Sequence, residues 1–150
     1  MSENSIDYDT ISDYFQKKLE RDLFNVSYEQ YLKIEEYIAD YLSFFEKSVL
    51  KKFSLRNMSK INEFILENDD LIVLLRYVEP IVRKYFKKES LVLEYVPDPE
   101  IDLNQLVLYI QTQISEDNID EVDNKLHEID KEVFHRLNND TRNKFLIDVE

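Results

Sequence analysis

The chain has 150 residues, 43% of them hydrophobic, and its 32 acidic and 19 basic side chains give a formal net charge of −13 at pH 7. It contains neither glycine nor cysteine, which excludes glycine-rich phosphate loops, nucleophile elbows, disulfides and thiolate chemistry. The length suits one compact domain, so we expect a single domain over residues 1–150, with a helical part over 1–89 and a hairpin, a helix and a third strand over 90–150.

Two helices are predicted in the first third of the chain. Between Thr10 and Phe24, apolar residues recur at helical spacing and form one stripe. A second helix is predicted to follow Ser27, whose side chain and that of Gln30 have the spacing of a capping box. Its apolar stripe continues to Phe53, which predicts a helix of roughly 26 residues.

The apolar surface of this second helix is wider than contact with one neighbour requires. Tyr41 lies on the main stripe, and Ile34, Tyr37 and Phe44 form a second row beside it. Two explanations stay open, because either two elements of the same chain or a partner protein can cover such a surface. We therefore take Tyr37, Tyr41 and Phe44 as candidate partner-binding residues.

Two further helices are predicted between residues 55 and 86. The first covers residues 55–66, and Asn68 to Asp70 form a break and a new N-cap. The period of the apolar residues from Leu71 to Phe86 favours a helix, although residues 71–78 alone are also compatible with a strand. Pro80 is expected to kink this helix or to begin a new one.

After residue 88 the apolar period changes from near four to two, which predicts strands over 91–96 and 105–113. The connection between them, PDPE, favours an antiparallel hairpin. Ser115 is expected to cap a helix over 116–137. Over residues 144–150 apolar and polar side chains alternate, which favours a third strand, with a short helix as the alternative. The predicted fold class is α+β, with N-terminal helices packed on a small antiparallel ββαβ unit.

Most of the net negative charge lies in the last 60 residues, which contain 15 acidic and five basic residues. The predicted helix over 116–137 carries several acidic side chains. We take four of them as further candidate partner-binding residues, namely Glu116, Asp120, Asp123 and Asp130. This charge repels nucleic-acid backbones and anionic membrane surfaces. The expected partner is another protein with a basic surface, with no direct nucleic acid or membrane contact, and a homodimer is a further option.

No catalytic, cofactor-binding or metal-binding residue is predicted, and we expect a non-enzyme without a cofactor. Both histidines, His127 and His135, lie on the same predicted helix. Glu132 and His135 have the Glu-x-x-His spacing of di-iron bundles, but the chain has no second such motif to complete the site. The N-terminus MSENSIDYDT has no basic segment followed by an apolar run, and no stretch approaches a membrane span. We therefore expect a cytoplasmic protein.

The segment LVLEYVPDPEIDLNQLVLYIQTQIS, with the acidic helix behind it, resembles a group of small, mostly uncharacterised bacterial proteins, many of them cyanobacterial. The resemblance covers about residues 90–135. Some proteins of this group are thought to lie beside toxin–antitoxin-type genes, so the resemblance implies an antitoxin-like role.

Three functional hypotheses follow. The leading one is a non-enzymatic protein-interaction module, a neutralising partner in a two-gene system, whose acidic face meets a basic protein. The second is an acidic mimic of nucleic acid that blocks a DNA- or RNA-binding protein. The third is an enzyme with an unrecognised site.

Overall fold

The computed structural model describes residues 8–22, 28–98, 100 and 103–150. It has mixed helix and strand, which agrees with the predicted α+β class. The helices are α1 Tyr8–Asp22, α2 Tyr28–Phe44, α3 Met58–Glu67, α4 Asp70–Tyr85, α5 Ile119–Phe134 and α6 Asn139–Lys144. The strands are β1 Ser54–Arg56, β2 Ser90–Asp98, β3 Leu103–Gln111 and β4 Phe145–Val149.

The first two predicted helices are present. α1 matches the first apolar stripe, and residues 23 and 24 lie outside the described part of the chain, as does the predicted cap at Ser27. α2 passes directly into a π-helical segment, Phe45–Leu50, so the helical stretch ends slightly before Phe53. Phe15 connects the two helices, with its ring 6.4 Å from that of Tyr41.

The predicted helix over 55–66 begins too early, because Ser54–Arg56 forms the strand β1 and α3 begins only at Met58. Asn57 separates the two elements with φ 59, in the left-handed region. Its side chain accepts a hydrogen bond from the Lys60 amide at 3.3 Å and so caps α3. Asparagine tolerates this backbone conformation better than other non-glycine residues, which suits a chain without glycine.

The segment from Asp70 to Tyr85 is one helix, which resolves the strand alternative for residues 71–78. Pro80 lies inside α4 and does not begin a new helix. The buried stripe of α4 consists of Leu71, Leu74, Leu75, Val78 and Val82. Because Pro80 is on the exposed side of the helix, its ring does not interrupt this packing.

The sheet has the order β1-β2-β3-β4 and is mixed, which corrects the predicted antiparallel unit. β2 and β3 form the predicted antiparallel hairpin. The predicted third strand is β4, but it pairs with β3 in parallel, because α5 and α6 carry the chain back before it enters the sheet. β1 adds a second parallel pair on the other edge, next to β2.

α5 is shorter than the predicted helix over 116–137, since Glu116 and Asp117 lie in the turn before it. Asn118 precedes the helix and organises that turn, because its Oδ1 accepts from the Ser115 amide at 2.7 Å. Asn138 caps α6 by accepting from the Thr141 amide at 2.9 Å.

Helices and sheet share one hydrophobic core on one face of the sheet. The strand residues that enter this core are Leu91, Leu93, Leu106, Leu108, Ile110, Phe145 and Ile147. On the other face, Arg56 of β1 pairs with Glu94 at 3.1 Å and with Glu150, and lies 5.4 Å over the Tyr109 ring. One arginine thus ties β1 to β2, to β3 and to the residue after β4.

Candidate functional site

The aromatic candidates on α2 differ in exposure. Tyr41 and Phe44 are each 5% exposed, whereas Tyr37 is 52% exposed. The Tyr41 hydroxyl donates a 2.6 Å hydrogen bond to Asn62 Oδ1, and burial raises the pKa of Tyr41. Tyr41 and Phe44 are therefore packed within the chain, so of the three only Tyr37 has a surface available to a partner.

The acidic candidates do not form one exposed row. Glu116, Asp120 and Asp123 are exposed, while Asp130 is partly buried near Asp148. Among the described residues, Asp130 Oδ1 is enclosed without a hydrogen-bond partner. Burial, with a smaller contribution from Asp148, raises the pKa of Asp130. The exposed acids thus lie at the start of α5, and Asp130 faces inward.

A groove of about 620 Å³, which was not predicted, lies between α4 and α5. Most of its lining side chains are basic or apolar. From α4 the lining residues are Arg76, Tyr77, Pro80, Ile81 and Lys84, and from the end of α5 and the residues after it they are Lys131, Glu132, His135 and Arg136.

The sequence of α4 accounts for its wall of the groove. Arg76, Pro80 and Lys84 follow one another at intervals of four residues and therefore share one face of the helix. Tyr77 and Ile81 lie beside them, half-buried against the core, and form an apolar floor. Pro80 has no amide hydrogen, so the Arg76 carbonyl lacks its usual helical donor at this point of α4.

Three side-chain contacts connect the two walls. Glu132 on α5 accepts hydrogen bonds from Lys84 Nζ at 3.0 Å and from the Tyr85 hydroxyl at 3.2 Å. The bond from Lys84 is the main reason that the pKa of Glu132 is lowered. The Tyr77 hydroxyl donates to the Val133 carbonyl at 3.4 Å. These contacts hold α4 and α5 at a fixed separation.

The groove is positively charged although the chain is strongly acidic. Four permanent cations and one carboxylate line it, and the carboxylate is already paired with Lys84. Over the described part of the chain, Arg76 and Arg136 have no ion-pair partner within 4.0 Å. The Arg76 guanidinium lies 5.6 Å from the ring centroid of Phe44 on α2.

Sequence reasoning missed this site because its two walls lie about 50 residues apart in the chain. Three pairs of lysines that are adjacent in sequence do not line the groove, namely Lys17 and Lys18, Lys51 and Lys52, and Lys87 and Lys88. The available signal was the four-residue spacing of Arg76, Pro80 and Lys84, which places two cations on an exposed helix face.

Neither histidine belongs to a metal-ligand cluster in the described part of the chain, where no group of three or more His, Asp or Glu side chains is placed to hold a metal ion. His127 and His135 are both exposed, and His135 lines the groove. Within the same residues, no helix is long and apolar enough to cross a membrane.

Comparison with known proteins found no relative: no family model, no curated protein and no solved structure matches this chain. The resemblance over residues 90–135 and the antitoxin-like role that it implies stay predictions. Function is therefore inferred from the groove itself.

Proposed function

We propose that this chain is a binding protein that takes a short acidic segment of a partner protein into the groove between α4 and α5. The observation that supports this is an apolar floor surrounded by cations in a chain of net charge −13. The floor consists of Tyr77 and Ile81, and the rim consists of Arg76, Lys84, Lys131 and Arg136. Concave sites of roughly 300–1,000 Å³ with a few converging polar groups are typical of ligand sites, and this groove lies in that range.

The dimensions of the groove favour a short segment. From Arg76 to Lys84 the α4 wall rises by about 12 Å, which corresponds to roughly four residues of extended peptide. Acidic side chains of such a segment would meet the rim, and apolar ones would cover Tyr77 and Ile81.

Binding is favoured over catalysis by the state of the polar groups. Glu132, the carboxylate in the groove, is occupied by Lys84 and Tyr85, and its lowered pKa keeps it ionised. A general acid or base needs a pKa near the working pH and a free position beside the substrate. His135 is exposed, and no hydrogen bond orients it among the described residues.

The test is fluorescence anisotropy with a labelled peptide mixture of about eight residues, longer than the groove, in which glutamate alternates with leucine, isoleucine or valine. Wild-type protein should bind the mixture, and the affinity should fall as salt rises, since the attraction is electrostatic. Arg136→Glu reverses one rim charge and should weaken binding by at least about tenfold.

Lys47→Glu is the matched control, because Lys47 is an exposed cation in the π-helical segment and lies outside the groove. It should change the affinity by less than about twofold. Equal affinities for wild type and Arg136→Glu, or binding that is indifferent to salt, would contradict the proposal.

A second candidate retains the predicted acidic surface. Glu116, Asp120 and Asp123 are exposed, and within the described residues none of them has an ion-pair partner. This supports binding of a partner with a basic surface, as a neutralising protein in a two-gene system would require. The peptide titration separates the two candidates, because an acidic surface does not bind an acidic peptide.

A further inference from the structure

We infer that the groove recognises a phosphorylated side chain, so that the partner segment is bound in its phosphorylated form. This inference rests on the proposed function and names the chemistry of its ligand. It depends on two arginines, Arg76 and Arg136, that face the same groove from its two walls.

The two arginines differ from the lysines of the groove because they form no ion pair with a carboxylate among the described residues. Lys84 pairs with Glu132 at 3.0 Å, and Lys131 pairs with Glu128 at 3.6 Å. Neither Arg76 nor Arg136 has an acidic partner within 4.0 Å over the described residues. In a chain with 32 acidic side chains, two groove arginines that form no ion pair within the described residues leave two guanidinium groups for an external anion.

Arg76 is also held in place. Its guanidinium lies 5.6 Å from the centroid of the Phe44 ring, and Phe44 is fixed in the core with 5% exposure. A cation–π contact of this kind restrains the side chain, and among the described residues the Arg76 guanidinium donates no hydrogen bond. Phe44 thus acts as a positioning residue for Arg76, and the donors of Arg76 stay free for a ligand.

The number of donors favours a phosphate over a carboxylate. A carboxylate has two oxygens and one charge, which a single arginine satisfies in a bidentate pair. A phosphate monoester has three acceptor oxygens and a charge of about −1.5 to −2, and it can bind two guanidinium groups at once. Two arginines on opposite walls, with Lys131 and His135 beside them, match the second ligand better.

The surroundings favour one phosphate over a chain of phosphates. Two further carboxylates lie on the same helices as the groove cations. On α5, Glu128 pairs with Lys131, and on α4, Glu79 pairs with Lys52 and Arg83. A nucleic-acid strand longer than the groove would meet these carboxylates and the acidic start of α5. A single phosphorylated residue fits within the roughly 12 Å of the groove and avoids them.

The experiment uses three labelled libraries of six-residue peptides, randomised except at one central residue, which is phosphoserine, glutamate or serine. Full-length protein is titrated against each by fluorescence anisotropy. The phosphoserine library should bind about tenfold more tightly than the glutamate library. Arg76→Lys and Arg136→Lys keep the charge but lose the planar fork, so each should reduce this preference to about twofold or less while binding of the glutamate library changes little.

Lys47→Gln is the control for loss of an exposed cation outside the groove, and it should leave the preference unchanged. Circular dichroism of each variant checks that the fold is retained. Equal affinity for the phosphoserine and glutamate libraries would overturn the inference and leave the proposed function standing. Failure of both libraries to bind would contradict the proposed function itself. Tighter binding of a labelled six-nucleotide RNA than of the phosphoserine library would overturn the inference in favour of nucleic acid.

Discussion

The hydrogen bond between Tyr41 and Asn62 joins α2 to α3 inside the core. Both residues are 5% exposed, and the bond is 2.6 Å long. A buried amide oxygen that loses its donor cannot recover the bond from water. The position of Tyr41 on the apolar stripe suggested a contact surface, but its hydroxyl has a structural partner within the chain.

Replacing Tyr41 by phenylalanine should therefore destabilise the protein without changing its exposed surface. We expect Tyr41→Phe to lower the free energy of unfolding by about 1–3 kcal/mol, because Asn62 Oδ1 is left buried and unpaired. Urea denaturation followed by circular dichroism measures this change. Tyr37→Phe is the matched control, since Tyr37 is 52% exposed, and it should stay within about 0.5 kcal/mol of wild type. Equal effects of the two substitutions would show that the hydrogen bond to Asn62 makes no net contribution to the free energy of unfolding.

Asparagine residues mark several boundaries between elements in this chain without glycine. Asn57 adopts the left-handed conformation before α3, and Asn138 caps α6. Asn68 ends α3 and donates to the Phe64 carbonyl at 2.9 Å. The breaks at Asn68 and Asn138 were predicted, because each interrupts an apolar period. Asn57 was missed because it follows apolar residues that continue the helical spacing.

At the scale of elements, Asp70 connects the first turn of α4 to α6. The Thr141 hydroxyl donates to Asp70 Oδ2 at 2.7 Å, and Lys144 Nζ lies 3.2 Å from the same oxygen. Burial tends to raise the pKa of Asp70, but the hydrogen bonds from Thr141 and Lys144 and the charge of Lys144 outweigh it and lower the pKa. Asp70 also lies in the first turn of α4, where a negative charge is favoured.

A lowered pKa in the folded state means that ionised Asp70 stabilises the protein above the pKa of the unfolded chain. This contribution is lost as the pH falls through the folded-state pKa. Asp70→Asn should therefore cost about 1 kcal/mol at pH 7, and the difference from wild type should shrink below pH 3.8, the ordinary value for the carboxyl. Thermal or urea unfolding of both proteins across this pH range measures the effect.

Asp69→Asn is the matched control for that measurement, because Asp69 is exposed and its side chain makes no capping hydrogen bond. At pH 7, Asp69→Asn should lower the free energy of unfolding by less than Asp70→Asn does. A difference between wild type and Asp70→Asn that is independent of pH would show that the link to α6 does not depend on the charge of Asp70.

The elements that sequence predicted best are those with a local signal. The alternation in β2 and β3 is strong, and their hairpin joins neighbours in sequence, so the pairing followed from the pattern. β1 has three residues, and its partner β2 begins more than 30 residues later. Such a pair has no local periodicity to reveal it, and neither has the parallel pairing of β4 with β3.

The same reason explains what was missed at the candidate site. Every charged residue of the groove was visible in the sequence, but the groove depends on the direct packing of α4 against α5, which local periodicity does not reveal. The acidic start of α5 is consecutive in sequence and was predicted as an exposed face. Its exposure at Glu116, Asp120 and Asp123 agrees with that prediction, while its role in partner binding stays a prediction.

At the scale of the whole molecule, one cluster of buried side chains runs from α1 through the helices into the sheet. Ile11 of α1, Ile38 of α2, Leu74 of α4 and Ile147 of β4 all belong to it. No second core divides the helical part from the sheet among the described residues. Because the halves bury their apolar surfaces against each other, neither would retain its packing alone.

This continuity predicts one cooperative unfolding transition for the whole chain. Ile38→Val in α2 and Ile147→Val in β4 each remove one buried methylene and should each cost about 1 kcal/mol. Each should lower the urea midpoint equally whether unfolding is followed by circular dichroism, which reports mainly on helices, or by amide hydrogen exchange in peptides from β3. If Ile38→Val shifted only the helical signal and left β3 protected, the helices and the sheet would unfold separately. Coincident shifts from both substitutions would instead place the helices, the sheet and the α4–α5 groove in a single folding unit, since α4 and α5 contribute buried side chains to the same core.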